Sequence, residues 1–317
     1  MPFSTRIQIA HNAGLALPDG PIGVFGATVE TDLSALPHAQ IISRDARVHD
    51  RFPKTLETAP GGLVASALVV PREKARARAL VSEATAACSG HLIIDGQKTD
   101  GIEPMIKALK AKGAALLGPI SKAHGKLIWC ENCPDVSDWA AAPQQVDGLM
   151  TLPGVFSADK VDAGSRALAQ HLPQKLGTHI ADLGAGWGWL SAQMADGERD
   201  IHMVEADGIA LDCARQNVPG ATAHWADVTR WQTPMLMDAV VMNPPFHEGR
   251  KGVPELGQAF IAKAASILKP SGHLYMVANR HLPYEEALER SFGKVEVVAG
   301  PPAFKLFHAS RPSRRGR

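Results

Sequence analysis

The stretch Thr178-His179-Ile180-Ala181-Asp182-Leu183-Gly184-Ala185-Gly186-Trp187-Gly188 decides the fold of this chain. Its first six residues have the β-rich, largely apolar pattern of a buried strand, and the glycines after them turn the chain into a helix expected to begin near Trp189. Gly184, Gly186 and Gly188 suit a tight turn that a ligand approaches closely, and the amino terminus of a helix offers amide donors to an anion. A strand, a glycine loop and a helix in that order mark a nucleotide-binding loop in an α/β fold.

Downstream, a strand over residues 201–204 ends in Glu205, roughly twenty residues past the loop, where an acid is expected to accept from ribose hydroxyls; Asp207 is the second choice. A third strand, residues 221–225, leads to Asp227 and Val228. The carboxylate is placed to accept from an adenine amine and the valine to pack on the ring, although an Asp here equally serves as a helix cap or turn residue. Up to this point a nicotinamide-dependent oxidoreductase fits as well.

The fourth strand separates the two. Asp238-Ala239-Val240-Val241-Met242 runs directly into Asn243-Pro244-Pro245-Phe246, at the strand end where open α/β sheets hold their ligands. An exocyclic amine on a purine is a poor nucleophile because its lone pair is delocalised into the ring. Catalysis therefore depends on holding the nitrogen in line with an electrophilic methyl. The Asn243 side-chain oxygen and the Pro244 carbonyl are suited to accept both amine hydrogens and to favour the charge that develops on nitrogen. Pro244 and Pro245 keep those acceptors in place, and Phe246 offers a flat face to a base taken out of its stack. Alone, these four residues would read equally as a rigid turn; the loop and Glu205 in the same half favour the catalytic reading.

The chain also repeats itself. Ser89-Gly90-His91-Leu92 recurs as Ser271-Gly272-His273-Leu274. Each copy follows a helical stretch (72–87 and 256–268) and precedes an apolar strand, a second helix (101–111 and 284–291) and a hairpin-like pair of strands carrying Lys126-Leu127 or Lys305-Leu306. This order predicts two tandem α/β domains with largely parallel sheets, residues 1–148 and 149–317, with residues 134–148 as the linker.

Composition agrees with a globular protein of two domains: 317 residues, 45% hydrophobic and 21% charged. With 33 Lys and Arg against 32 Asp and Glu, no global positive field marks a nucleic-acid partner, so any RNA binding must come from local patches. The longest apolar run, residues 61–70, is too short for a bilayer, and the start lacks a signal-peptide pattern, so a cytoplasmic location without membrane contact is expected. The four cysteines form no disulfide framework. Cys130 and Cys133 have the spacing of a zinc or redox pair, but no second ligand pair accompanies them, so no metal is expected.

Taken together, Thr151-Leu152-Pro153-Gly154-Val155-Phe156-Ser157, then Asp162, Gly164 and Ser165, the loop from Asp182 to Gly188, Asn243 to His247, Val277-Ala278-Asn279 and Leu282-Pro283-Tyr284 resemble the bacterial ribosomal RNA guanine-N2 methyltransferases with two tandem Rossmann-like domains. The resemblance implies a seven-stranded class I methyltransferase sheet with an antiparallel final strand. S-adenosylmethionine would be held by Asp182, Gly184, Gly186, Gly188, Glu205, Asp227, Val228 and Phe156. It further implies a ribosomal RNA or ribosomal-subunit substrate, 16S favoured over 23S, and an amino-terminal domain that is a degenerate copy without cofactor; the sequence leaves the oligomeric state open, with a monomer favoured. In that half Val24-Phe25-Gly26-Ala27-Thr28 stands where the glycine loop belongs, and Val69-Val70-Pro71-Arg72 where Asn-Pro-Pro-Phe belongs. Glu248-Gly249-Arg250-Lys251-Gly252 reads as a substrate loop, His247 as a proton relay or a structural residue, and Arg311, Arg314, Arg315 and Arg317 as a basic tail. The rival readings are an adenine-N6 or protein glutamine methyltransferase, and a non-catalytic ribosome assembly factor that binds S-adenosylmethionine.

Overall fold

The computed structural model describes residues 3–245, 247–248, 251–252, 254–298 and 300–313. Phe246, Gly249, Arg250, Arg314, Arg315 and Arg317, and the side chains of His247, Glu248 and Lys251, lie outside the described residues. The chain forms two compact units, Met1–Ala142 and Pro143–Arg317.

The first unit contains α1 (Phe3–Asn12), β1 (Ile22–Phe25), β2 (Gln40–Ile42), α2 (Ala46–Arg51), β3 (Leu63–Val69), α3 (Lys74–Ala86), β4 (Cys88–Gln97), α4 (Ile102–Ala111), β5 (Leu117–Lys122) and β6 (Gly125–Cys130). Its sheet has the order β2-β1-β3-β4-β6-β5. The first four strands are parallel, and β6 runs antiparallel to both neighbours. Helix α1 carries no acidic residue in its first turn to signal it in the sequence, although Phe3, Ile7 and Ala10 recur at helical spacing and are buried along it.

The second unit begins earlier than the expected boundary. Residues 134–148 are not a featureless linker, because β7 (Gln144–Val146) pairs antiparallel with β8 (Leu149–Thr151). The turn between them is Asp147-Gly148, both at positive φ (57° and 78°), the backbone that a two-residue hairpin turn demands and that Asp-Gly supplies.

There follow α5 (Ala163–His171), β9 (His179–Leu183), α6 (Trp189–Met194), β10 (Asp200–Glu205), α7 (Gly208–Asn217), β11 (Thr222–Trp225), β12 (Met237–Met242), the short pair β13 (His247–Glu248) and β14 (Lys251–Gly252), α8 (Pro254–Ile267), β15 (Leu268–Asn279), α9 (Glu285–Ser291), β16 (Phe292–Val298) and β17 (Phe304–Pro312). The sheet order is β11-β10-β9-β12-β15-β17-β16. All pairs are parallel up to β15, and the last strand of the chain, β17, lies antiparallel between β15 and β16. The first unit repeats this order without the outermost strand. Alternate residues of β9 and β12 enter opposite cores: Ala181, Leu183, Val240 and Met242 on one face, Ile180, Ala239 and Val241 on the other. Such two-sided burial is what the unbroken apolar runs of parallel strands provide for.

The repeated Ser-Gly-His-Leu has a structural cause. In both sheets the register slips just before the histidine, between Leu63 and Ala65 against β4 and between Met237 and Ala239 against β15. A Cβ on Gly90 would lie 2.4 Å from the Val64 carbonyl oxygen, and one on Gly272 3.0 Å from that of Met237. Each copy thus needs a residue without a side chain where the strand slips against its neighbour. Among the described residues, no helix is long and apolar enough to cross a membrane.

Candidate active site

The order of strands reverses between β9 and β12, and the two end level: Leu183 pairs with Met242. The residues that follow, Gly184 and Asn243, therefore stand side by side at the carboxyl edge, where open sheets bind ligands.

The loop after β9 is held by the neighbouring strand. Gly184 and Ala185 donate to the Val204 carbonyl at 2.8 and 3.2 Å, and the Gly186 amide donates to Glu205 Oε2 at 2.8 Å. Two glycines have different reasons to be glycine. At Gly186 φ is 56° and a Cβ would meet no atom within 4 Å, so the space beside it is left to a ligand. At Gly188, with φ 83°, a Cβ would lie 3.0 Å from Ala214, so here the absence of a side chain lets α6 start against α7.

Glu205 also accepts from the Asp207 amide at 2.9 Å. Each of its oxygens thus fixes one backbone amide and keeps a second lone pair. Asp207, the alternative ribose acid, instead caps α7 through the Ile209 amide. Asp182 is fully buried; Oδ2 accepts from Ser191 Oγ at 2.7 Å, and Oδ1 has no partner. Burial pushes Asp182 up to about 7, with the Ser191 hydrogen bond opposing and the Glu205 charge adding to the rise. Burial likewise raises Glu205 above the usual carboxylate range. Asp227 Oδ1 accepts from the amide and hydroxyl of Thr229, both at 2.8 Å, which is the turn role weighed against adenine recognition. Val228 is 3% exposed and packs in the core beneath the sheet edge.

Across the crevice, Asn243 Nδ2 donates to Asp162 Oδ2 and to Ser165 Oγ, each at 2.9 Å. Asp162 is the N-cap of α5 and accepts from the Ser165 amide at 2.8 Å. A cavity joins this group to the loop, lined by Phe156, Asp162, Ser165, Gly184, Gly186 and Asn243 among others. Phe156 stands at its mouth, 57% exposed. Its carbonyl is held by Trp187 Nε1 at 3.0 Å, and the next residue, Ser157, is left-handed at φ 53°. Pro244 is buried and Pro245 exposed. The structure thus joins Asn243, Gly184, Gly186 and Phe156 at one cavity, with Asp182 and Glu205 tied to the strand and loop behind it. In the sequence Asp162 and Ser165 stand out only as part of the family string; their contact with Asn243 spans 81 and 78 positions, which no local pattern announces.

Cys133 donates through Sγ to the Gly90 carbonyl at 3.2 Å, and Cys88 Sγ accepts from the Gly90 amide at 3.3 Å. Cys133 is thus associated with Cys88 about one residue, Gly90, rather than with Cys130 alone.

The methyltransferase small domain family matches residues 148–308. The ribosomal RNA small subunit methyltransferase C of Hahella chejuensis is 32% identical over 242 residues, which are 70% of this chain and 69% of that protein. The protein of the same name from Shewanella pealeana is 30% identical over 233 residues, 69% of this chain and 68% of that protein. In fold, the chain matches a T. thermophilus 16S rRNA N2 G1207 methyltransferase solved with AdoMet and guanosine. The TM-score is 0.80 at 24% identity, over 98% of this chain and 92% of that one.

Proposed function

Because the chain belongs to the ribosomal RNA small subunit methyltransferase C family, we propose that it methylates the exocyclic N2 amine of a guanine in 16S ribosomal RNA with S-adenosylmethionine as donor. The observation that carries this reading is the Asn243 amide: its nitrogen is bound to Asp162 and Ser165, so its oxygen is the atom offered to a substrate amine at the edge of the glycine-loop cavity. The structures of relatives support it, since one of the same fold was solved with AdoMet and guanosine.

The residues fit the cofactor. The open side of Gly186 admits a nucleoside close to the backbone, Glu205 retains lone pairs for a ribose diol, and the unpartnered Asp182 Oδ1 is a buried acceptor beneath the loop. Gly184, Gly186, Gly188, Glu205, Asp182 and Phe156 form the holding group, with Asp227 and Val228 at the adenine end. The bound cofactor supplies an electrophilic methyl on a sulfonium.

Asn243 Oδ1 and the Pro244 carbonyl accept the two amine hydrogens and so turn the nitrogen lone pair toward that methyl. The same two acceptors would stabilise the positive charge that methylation places on the amine, and would hold its hydrogens until one proton passes to water. Pro245 stiffens the turn and Phe246 supports the extruded base. The first unit, which carries neither motif, works without cofactor. The partner is the small ribosomal subunit or its RNA, encountered by a monomer in the cytoplasm.

The test is transfer of labelled methyl groups to small subunits, large subunits and free ribosomal RNA from unmodified cells, followed by nucleoside analysis. Label is expected as N2-methylguanine in 16S RNA. Asn243→Ala should lower kcat on the order of 10²- to 10³-fold while cofactor binding survives. Label on adenine or on protein, or full activity in Asn243→Ala, rejects the assignment.

A further inference from the structure

We infer that Asp162, backed by Ser165, is a positioning residue that fixes which way the Asn243 amide faces. The inference rests on the reading of Asn243 as acceptor for the substrate amine. A carboxamide has two ends of similar size and opposite hydrogen-bonding character: NH₂ donates and oxygen accepts. Nothing in an Asn-Pro-Pro turn by itself chooses between them, and the reversed amide would present donors to a substrate amine that is also a donor.

The choice is made by the far wall of the crevice. An ionised carboxylate only accepts, so the group 2.9 Å from Asp162 Oδ2 is the amide nitrogen. Ser165 Oγ, also at 2.9 Å, takes the second N–H. Both donors are then spent on α5, and Oδ1 is the atom left for substrate. Asp162 is itself held, because the same Oδ2 accepts from the Ser165 amide as the helix N-cap. Gly164 completes the group: a Cβ there would lie 3.0 Å from Asp162 Oδ2 and 3.1 Å from the Phe304 ring. The string Asp162-Ala163-Gly164-Ser165 is therefore one device, a carboxylate, a space beside it and a hydroxyl, all aimed at one amide from the start of α5.

Asp162→Ser in the full-length protein tests this. Serine caps a helix about as well as Asp, but its shorter hydroxyl both donates and accepts, so it no longer dictates which end of the Asn243 amide faces α5. Methyl transfer to unmodified small subunits is expected to lose roughly 10- to 100-fold in kcat, with the cofactor Kd and the Tm close to those of the parent. Asp162→Asn, whose one oxygen can fill the Oδ2 place and serve both the cap and Asn243, should lose much less. Placing a carboxylate at position 243 removes the need for a chosen orientation, since either oxygen accepts. The double variant Asp162→Ser/Asn243→Asp should therefore recover a large part of the lost kcat. Gly164→Ala, which crowds the carboxylate without removing it, should fall between the parent and Asp162→Ser.

Wild-type kcat in Asp162→Ser, or a double variant no more active than Asp162→Ser alone, overturns the inference. So does a loss of kcat matched by an equal loss of Tm and cofactor affinity, the mark of a merely structural cap. If instead Asn243→Ala is fully active, it is the acceptor role of Asn243 that fails.

Discussion

In the second unit Leu183 of β9 pairs with Met242 of β12, and the chain leaves those strands as Gly184 and Asn243. In the first unit Phe25 of β1 pairs with Leu68 of β3, and the residues that follow are Gly26 and Val69. The strand order around the two crevices is the same, yet only one is open. A Cβ on Gly26 would lie 2.2 Å from the Val69 carbonyl oxygen. Beyond it, where the second unit places α6, the chain runs back over α1: Ser4 Oγ donates to the Asp32 carbonyl and accepts from the Ala35 amide, and Ala27 and Leu36 are buried. The start of α5 spends its polar side chains on Asn243, whereas α1 spends Arg6 on Asp95, an ion pair sealed in the interior. The same topology thus yields a cradle or a core, according to whether a few positions at the strand ends carry glycines and acceptors or self-satisfied side chains.

The largest effect that would sharpen this contrast lies in the first unit. Arg6 donates to Asp95 through Nε and, at 2.6 Å, through Nη2, and to the Lys122 carbonyl at 2.9 Å. Arg6→Ala leaves a buried carboxyl alone and is expected to cost about 3–5 kcal/mol in urea unfolding. Arg6→Met/Asp95→Leu should regain most of it. A stability loss near zero in the single variant would mean that this edge is not a core after all.

Next in size is a matched pair of substitutions. Gly26→Ala and Gly186→Ala both pay about 1–2 kcal/mol for a left-handed Cβ. In Gly26→Ala the contact with Val69 adds to the stability loss and cofactor affinity is untouched. In Gly186→Ala the methyl enters open space and the loss falls on cofactor affinity, which calorimetric titration would read. Equal affinity losses in the two variants would break the comparison.

A smaller effect concerns Asp182, held at about 7 in the fold against an ordinary 3.8. Between those values the folded state binds the proton that the unfolded chain has released, so this carboxyl stabilises the unliganded protein at acid pH. The contribution is complete below 3.8 and lost as pH rises through 7. Thermal unfolding of Asp182→Asn should show a flatter pH dependence across that window; an unchanged slope would contradict the burial argument. Smallest is Phe156→Ala, which at 57% exposure should alter Tm little and weaken cofactor binding by about 1 kcal/mol of lost apolar contact.

Much of this was legible in the sequence because the signals are local. The run from Asp238 to Met242 is a strand by its unbroken apolar pattern, and the glycines after Leu183 have the spacing of a ligand turn. The Ser-Gly-His-Leu repeat was visible before its cause, since recurrence needs no geometry, whereas the reason for its glycines is a carbonyl on a neighbouring strand. The hairpin at Asp147-Gly148 carried a readable turn signal, but the Ala- and Pro-rich residues before it masked the signal. What stayed hidden was set by partners distant in the chain: Arg6, on a helix of low amphipathicity, reads as a surface cation until Asp95 is found 89 positions away. Asp162 reads as an ordinary cap until Asn243 is found beside it.

Trp187 and Trp189 both line the cavity at the glycine loop, and their indole N–H groups are tied to the Phe156 carbonyl and to Asp147. Two fluorophores therefore sit in the wall of the ligand space, held in fixed orientation and nearly shielded from water. The protein carries its own optical reporter: excitation near the red edge of protein absorption should register loading and release of the nucleoside in real time, without dye, isotope or ribosome.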